Sequence, residues 1–133
     1  MKIPSCPFNS SNLESFIYMR DYALQFLGKT VTVKIDRPFG SKHPKHNIFY
    51  SLNYGYIENT IAPDGEEVDA YVLGVFEPIK DFIGRCVAVV RRSDDEDDKI
   101  VVAPEGVSYT SEQIKALVEF QERFFQSRVI MAG

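Results

Sequence analysis

Short apolar segments separated by polar turns recur along the chain, and this pattern predicts a small sheet of several strands. Residues 30–35 read Thr-Val-Thr-Val-Lys-Ile, with every second side chain apolar, as in a strand that buries one face. Five further segments are candidate strands: residues 48–50, 54–57, 68–75, 86–90 and 100–103. The last two are continuous apolar runs, which is typical of strands that are buried on both faces.

Capping signals predict a helix near each end of the chain. Ser11 and Glu14 can form a capping box, and Gly28 is a good residue to end a helix, so we expect a helix over residues 11–27. A second capping box begins a helix over residues 110–126. Together these elements predict an α+β fold, a small antiparallel barrel with an N-terminal and a C-terminal helix packed outside it.

Length and composition exclude several classes of protein. At 133 residues, with no repeat or linker, the chain is expected to be a single domain over residues 1–133. Its apolar runs stay well short of the roughly 18 residues that cross a membrane, and the segment after Met1 lacks the apolar core of a secretory signal. Two cysteines, Cys6 and Cys86, make no disulfide framework. We therefore expect a cytoplasmic protein with no membrane partner.

Charge is distributed unevenly along the sequence. The net charge of −4, from 19 acidic and 15 basic residues, argues against a general nucleic-acid binder. Nine of the 19 acids fall into two acidic segments, residues 64–69 and 94–98. Residues 34–46 form a basic segment that contains both histidines of the chain and a single acid, Asp36. These three segments are the first candidates for a functional site.

Asp69 is the most informative acid, because it lies inside an apolar strand between Val68 and Ala70. An unpaired charge is costly to bury, so this carboxylate needs a partner. Mg²⁺ is one solution, since it binds carboxylate oxygens together with water and substrate phosphates, and the acidic segment at residues 94–98 could complete such a site. The alternative is a solvated turn and an acidic hairpin tip, and the acids alone leave both open.

The basic segment also has two interpretations. Lys42 and Lys45 are flexible point charges suited to phosphate, but basic side chains on a surface loop often have no role. His43 and His46 have the spacing of a metal pair, yet no cysteine or third histidine is nearby to complete a zinc site. Lys99, which follows the second acidic segment, could neutralise its neighbours or reach a phosphate between them.

Three segments of the sequence, in their order and in the distances between them, resemble the soluble inorganic pyrophosphatases of family I. They are Asn-Tyr-Gly-Tyr-Ile at residues 53–57, Asp-Gly-Glu-Glu-Val-Asp at residues 64–69, and the acidic segment that runs into Lys-Ile-Val-Val-Ala-Pro at residues 99–104. Upstream, Asp36 is followed nine residues later by a lysine, as in the family's first strand and phosphate-binding loop. The resemblance covers residues 33–104, over half of the chain.

The resemblance implies a five-stranded, OB-like barrel with the active site at its mouth. It also implies that a metal-activated water hydrolyses inorganic diphosphate to two phosphates, with several Mg²⁺ ions as cofactor and Mn²⁺ as an alternative. The metal ligands that it implies are Asp64, Asp69, Asp97, Asp94 and Asp36. The expected partner is therefore a small-molecule substrate, and because the family often assembles, a homo-oligomer is compatible with the resemblance.

Four residues match catalytic positions of the family. Glu66 stands where the family has the aspartate that acts as general base. Lys45 and Lys99 are expected to bind phosphate oxygens, and Tyr54 to donate a hydrogen bond near the leaving phosphate. Lysines and metal ions of this kind spread the charge of an in-line phosphoryl transfer.

The chain departs from the family at several of these positions. Glu66 is one methylene longer than the aspartate it replaces, and a shift of about 1 Å can be kinetically expensive. Between Lys45 and Phe49 the chain lacks a hairpin and, with it, an arginine that grips the phosphate. On the last helix, the family's Tyr-Lys pair becomes Phe124-Phe125.

The departures leave two alternatives to hydrolysis of diphosphate. One is a non-catalytic or altered-specificity OB-like module that binds phosphate or a nucleotide, and the other is an interaction protein whose acidic tip contacts a basic partner. Arg37, Arg123 and Arg128 are candidates for the lost positive charge.

Overall fold

The structure of the chain, a computed structural model, describes residues 22–133. Six strands and one α-helix follow one another in this part of the chain. In order they are β1 (Thr30–Arg37), β2 (Asn53–Ile57), β3 (Val68–Val72), β4 (Asp81–Arg92), β5 (Lys99–Ala103), α1 (Ser111–Glu122) and β6 (Ser127–Met131).

The predicted N-terminal helix falls largely outside the described residues, as does Cys6. The part inside them forms a 3-10 turn at Leu24–Phe26. Gly28 follows this turn with a φ of +82°, the left-handed conformation expected of a glycine that ends a helical segment.

Five strands close into a barrel in the order β1-β2-β3-β5-β4, and β4 pairs with β1 to complete the ring. The five-stranded OB-like barrel expected from the resemblance is thereby confirmed. One pairing makes the barrel mixed rather than wholly antiparallel: β3 and β5 run parallel, with Ala70 opposite Ile100. Because the chain reverses direction from β3 to β4 and again from β4 to β5, β5 runs in the same direction as β3.

Strand β4 is long enough to pair with two neighbours along one edge. Residues 81–85 pair with β1, and residues 88–92 pair with β6. The sequence pattern did not predict β6, since it placed a helix over residues 110–126.

Helix α1 begins at the predicted capping box but ends earlier than expected. The hydroxyl of Thr110 accepts the backbone N–H of Gln113 at 3.1 Å, and the Gln113 side chain accepts the backbone N–H of Thr110 at 2.8 Å. The helix stops at Glu122, and the chain turns into β6. No helix of the described residues combines the length and the apolar character needed to cross a membrane.

Buried side chains form two clusters, one within the barrel and one between the barrel and α1. Strand β3 contributes to both by alternation: Ala70 and Val72 belong to the first cluster, while Tyr71 and Leu73 belong to the second. Asp69 shares the parity of Tyr71, so the strand directs it to the side of the barrel that α1 covers. Strand β5 is buried along its whole length, as predicted.

Close packing of β2 against β1 needs a glycine at Gly55. A Cβ built there would lie 1.8 Å from the carbonyl oxygen of Lys34, so no larger side chain fits without a backbone shift. Two residues earlier, the buried side chain of Asn53 accepts the N–H of Phe39 at 2.8 Å and donates to the carbonyl of Val75 at 3.1 Å. Strand β2 therefore fixes the loop that follows β1, which forms one wall of the site described next.

Candidate functional site

A cavity of about 670 Å³ lies between the barrel and the C-terminal end of α1. Its walls come from the end of β1 and the loop after it, from β2 and β3, from the adjoining ends of β4 and β5, and from the last turn of α1. Four of the nine residues to which the resemblance gives a catalytic or metal-binding role line it: Asp36, Tyr54, Asp69 and Lys99.

Asp69 and Lys99 form an ion pair at the wall of this cavity. The ammonium of Lys99 donates a hydrogen bond to Oδ2 of Asp69 at 2.6 Å. The pairing follows from the parallel register, because each residue stands one position before the partners Ala70 and Ile100. Lys99 is buried, and the carboxylate of Asp69 is its partner. The sequence left two roles open for Lys99, to neutralise the acidic segment before it or to reach a phosphate, and its ion pair in the structure is with Asp69 of β3, outside that segment.

A second pair of acids, Asp64 and Asp97, lies within electrostatic range of Lys99. Burial and a hydrogen bond shared with Asp64 raise the pKa of Asp97 to about 7. For Asp64, burial acts against the charged form, but the hydrogen bond with Asp97 and the backbone N–H of Glu66, at 2.9 Å, outweigh it and lower the pKa. At neutral pH the two carboxyl groups therefore hold a shared proton part of the time.

The buried Oδ1 of Asp97 receives no hydrogen bond from any N–H or O–H donor among residues 22–133. With both carboxyl groups ionised, nothing in this part of the chain compensates that oxygen except the nearby charge of Lys99. A shared proton or a bound cation would relieve the repulsion between Asp64 and Asp97, and hard divalent cations prefer such oxygen ligands. The donor set therefore fits a divalent metal ion.

Asp36 stands near Asp69 in the same cavity. Burial raises the pKa of Asp36, the adjacent charge of Arg37 opposes this shift, and the negative charge of Asp69 adds to it. In the described part of the chain, no three acidic, histidine or cysteine side chains converge closely enough to form a preformed metal group. The predicted ligands are thus present as neighbouring pairs around Lys99 rather than as one cluster.

Five predicted site residues do not line the cavity: Asp64 and Asp97, the pair described above, and Asp94, Lys45 and Glu66. The carboxylate of Asp94 is exposed and accepts the backbone N–H of Gln126 at 3.3 Å, in the turn before β6. Lys45 is exposed on the loop after β1 and does not line the cavity. Glu66 is exposed and lines a separate surface pocket.

Tyr54, by contrast, is buried at the cavity wall. Burial and the negative charge of Asp69 raise the pKa of Tyr54 well above its usual value. Its hydroxyl therefore keeps its proton over the neutral pH range and can act as a hydrogen-bond donor.

A chain of buried hydrogen bonds that the sequence did not predict connects the loop side of the cavity to α1. Arg37 donates to the hydroxyl of Tyr50 at 2.9 Å, and that hydroxyl donates to the side-chain carbonyl of Gln121 at 2.6 Å. The amide of Gln121 donates to the hydroxyl of Tyr71 at 2.7 Å, and this hydroxyl donates to Glu122 at 2.7 Å. This series of hydrogen bonds connects β1, β3 and α1, which are far apart in sequence. Residue spacing therefore gives no signal for it.

The same network ends on Arg92, a cavity residue that sequence reasoning also missed. Its guanidinium donates to both carboxylate oxygens of Glu122, at 3.0 and 2.7 Å. It also lies 3.6 Å from the centre of the Phe125 ring, a cation–π contact. Burial acts against the charge of Arg92, but its hydrogen bonds with Glu122 prevail and raise the pKa further. A fixed positive charge therefore stands beside Phe125, the position at which the resemblance implies a lysine.

Comparison with known proteins identifies the family. The inorganic pyrophosphatase family model matches residues 27–129. The chain is 34% identical over 80 residues to an inorganic pyrophosphatase of Vibrio parahaemolyticus, covering 56% of this chain and 46% of the relative. A Yersinia pestis inorganic pyrophosphatase is 34% identical over 82 residues, 56% of this chain and 47% of the relative. The chain thus spans about half the length of these relatives.

Solved structures support the same fold. The crystal structure of an inorganic pyrophosphatase from Ehrlichia chaffeensis matches with a TM-score of 0.63 at 20% identity, over 80% of this chain and 88% of that one. One from Thermus thermophilus gives a TM-score of 0.57 at 17% identity, over 77% and 83%. At these identities the likeness shows the fold alone. Since the family model covers more than three quarters of the sequence, this chain belongs to the inorganic pyrophosphatase family.

Proposed function

We propose that this chain hydrolyses inorganic diphosphate to two phosphates in a metal-dependent reaction. Its family membership supports this function, because the relatives that it matches are named inorganic pyrophosphatases. The observation that carries the proposal is the position of Lys99, bonded to Asp69 at the cavity wall and within electrostatic range of both Asp64 and Asp97. Acids that can hold cations thus surround a lysine that can contact phosphate, and of these four residues Asp69 and Lys99 line the cavity.

Family I pyrophosphatases are metal-dependent. We propose Mg²⁺ as the metal, with Mn²⁺ as an alternative, because the chain offers carboxylate oxygens. Asp64 and Asp97 would hold one ion, since the Oδ1 of Asp97 is buried without a donor, and Asp36 and Asp69 would hold others at the cavity wall. Bound divalent cations would neutralise these acids, supply the charge that activates a water molecule and stabilise the leaving phosphate.

Positive side chains in the cavity are the proposed phosphate ligands. Arg37, Arg92 and Lys99 all line it. Arg37, at the end of β1, and Arg92, at the end of β4, would take over from the arginine and lysine that the chain lacks relative to the family. Guanidinium groups suit this task because their planar set of donors matches phosphate oxygens.

The resemblance supports roles for four further residues. Tyr54 would donate a hydrogen bond to the leaving phosphate, since its raised pKa keeps it protonated. For Glu66 as general base and Lys45 as a phosphate ligand, the resemblance is the sole support, because both lie outside the cavity. Asp94, also outside it, would hold a further ion only if one arrived with the substrate.

The experiment is a phosphate-release assay on diphosphate at neutral pH with Mg²⁺, and with EDTA as the metal-free control. We expect Asp69→Asn and Asp97→Asn each to abolish release, while Asp81→Asn, an exposed acid of β4 outside the cavity, keeps it. Circular dichroism would show that each variant folds. Full activity in folded Asp69→Asn would overturn the metal assignment, and no release by the unmodified chain would overturn the function.

We also propose a cytoplasmic location, following the family. Size-exclusion chromatography with light scattering would test the homo-oligomer that the resemblance allows.

A further inference from the structure

Two chemically different sets of residues line the cavity, and we refer to them as its charged end and its apolar end. The charged end consists of the acids and cations described above. The apolar end consists of Ile48, Phe124 and Phe125 together with the imidazole rings of His43 and His46, and it adjoins the charged end where Phe125 packs on Arg92. Phe124 is the most exposed of its three apolar residues, with 61% of its surface exposed, so a large apolar side chain contacts water.

The cavity is large enough for a ligand that contacts both the charged and the apolar residues. Its volume of about 670 Å³ lies inside the range of roughly 300–1,000 Å³ found for pockets that hold drug-sized ligands. Diphosphate presents charged oxygens on every side, so it would occupy the charged end and leave the apolar end wet. A ligand that also carried an aromatic ring would cover Phe124 and displace that water.

We propose that this cavity binds nucleoside diphosphates, with the diphosphate group at the Lys99 end and the base against Phe124 and the histidine rings. The inference rests on the proposed function for the phosphate end of the cavity. It adds a second recognition element, which the resemblance to the family does not imply.

Contacts within the protein hold the apolar end in place. The Phe125 ring lies 3.6 Å from the guanidinium of Arg92, which is itself bonded to Glu122 at 2.7 Å. This anchors the residue next to Phe124, at the end of α1. A wall that is already ordered loses little entropy when a ring packs on it.

The histidine side of the wall is ordered as well. The Nδ1 of His43 accepts the backbone N–H groups of Lys45 at 3.0 Å and His46 at 3.3 Å, so the ring orientation is fixed and this nitrogen carries no proton. The His43 ring lies 4.7 Å from that of His46 and is stacked on Tyr50 at 6.4 Å with a 12° interplanar angle. Flat rings of this kind accept any base, since every base has an aromatic face, so we expect weak discrimination between bases.

The test compares α,β-methylene-ADP, which carries a nucleoside and one ionisable oxygen fewer, with methylenediphosphonate, and neither ligand is cleaved at its bridge. Their dissociation constants are measured by calorimetry with Mg²⁺. Because stacking on one aromatic side chain is a modest interaction, we expect the nucleotide to bind roughly tenfold tighter. Phe124→Ala should abolish that preference and leave the affinity for methylenediphosphonate unchanged.

Phe76→Ala is the matched control, because Phe76 is 60% exposed and does not line the cavity. It should keep the preference. Equal affinity for the two ligands in the unmodified chain, or an unchanged preference in Phe124→Ala, would overturn the inference even if diphosphate is hydrolysed. A preference for the nucleotide that depends on Phe124, found without any diphosphate hydrolysis, would support the inference and overturn the proposed function.

Discussion

The ammonium of Lys99 lies 2.6 Å from Oδ2 of Asp69, at the point where the parallel strands β3 and β5 begin. The strand register sets this contact, because the residues that follow, Ala70 and Ile100, are opposite partners in the ladder. The lysine is almost completely buried, whereas a third of the Asp69 side chain is exposed to the cavity. The pair therefore presents a carboxylate to the cavity, and the same contact holds the ammonium of Lys99 in position at the cavity wall.

Lys99→Met should lower both activity and stability. The substitution keeps an unbranched side chain that is one atom shorter and leaves Asp69 without its partner. We expect this to cost roughly 1–2 kcal/mol of unfolding free energy, because the carboxylate is partly solvated. Urea denaturation measures this loss. Lys115→Met, at an exposed position of α1, should change stability by less than about 0.5 kcal/mol, and an equal loss in both variants would contradict the assignment.

The stability of the metal-free protein should fall as pH rises from about 4 to 7. The pKa of Asp97 is raised from 3.8 to about 7, so in this range the folded chain binds more protons than the unfolded chain, and unfolding becomes easier as they leave. Asp64 acts in the opposite direction at lower pH, since its pKa is lowered and its stabilising effect is lost on acidification. Urea denaturation at a series of pH values measures the slope.

Two controls connect this slope to the proposed metal site. Asp97→Asn should reduce the fall in stability between pH 4 and 7, because it removes the group with the largest raised pKa and leaves Asp36, whose pKa is also raised. Added Mg²⁺ should stabilise the unmodified chain most near pH 7, where a cation replaces the shared proton, and should stabilise Asp97→Asn less, because only the ions at Asp36 and Asp69 remain. An equal effect of Mg²⁺ on both would place the cation elsewhere.

Glu122→Gln should be strongly destabilising. It removes the charge that compensates the buried guanidinium of Arg92 and weakens the hydrogen bond from Tyr71, so we expect a loss of roughly 2–4 kcal/mol. Thermal denaturation followed by circular dichroism would show it as a lower Tm. Glu119→Gln breaks the exposed pair with Arg123 and is the matched control, for which we expect a change below about 0.5 kcal/mol. Similar Tm values for the two variants would contradict the importance of the buried pair.

Gly55→Ala should disrupt the pairing of β1 with β2. The added Cβ would meet the carbonyl oxygen of Lys34 at 1.8 Å, and because that atom belongs to the backbone it cannot move aside without breaking the ladder. We expect a loss of roughly 3 kcal/mol or more, seen by urea denaturation. Ser51→Ala, at an exposed position before β2, should behave like the unmodified chain. A stable Gly55→Ala variant would mean that the two strands can separate at no cost.

The sequence predicted the barrel well where side chains alternate or are continuously apolar. It ended α1 too late because Phe124 and Phe125 continue the apolar pattern past Glu122, whereas the carboxylate of Glu122 is bonded to β3 and β4. It assigned no strand to the residues that follow, so β6 was missed. It also began β4 at Cys86, because the five residues before it mix polar and apolar side chains. They nevertheless form a strand, since they close the barrel against β1.

Of the charged residues that line the cavity, the sequence analysis named both acids, Asp36 and Asp69, and two cations, Arg37 and Lys99, but not Arg92. Asp69 could be identified because a carboxylate inside an apolar strand needs a partner, and Lys99 was among the candidates. Arg92 could not, because its partner Glu122 is 30 residues away and its position depends on where α1 ends. The placement of Glu66 and Lys45 outside the cavity depends on loop paths, which residue spacing does not determine.

The series of hydrogen bonds from Arg37 through Gln121 to Arg92 restricts both arginine side chains before a ligand binds. Long cationic side chains lose rotational freedom when they bind a phosphate, and this loss weakens affinity. Here both guanidinium groups are already held by protein partners, so most of that freedom is lost when the chain folds rather than when a ligand arrives. A phosphate would then have to fit the fixed positions of both guanidinium groups. A small displacement of α1 would move both of them out of position.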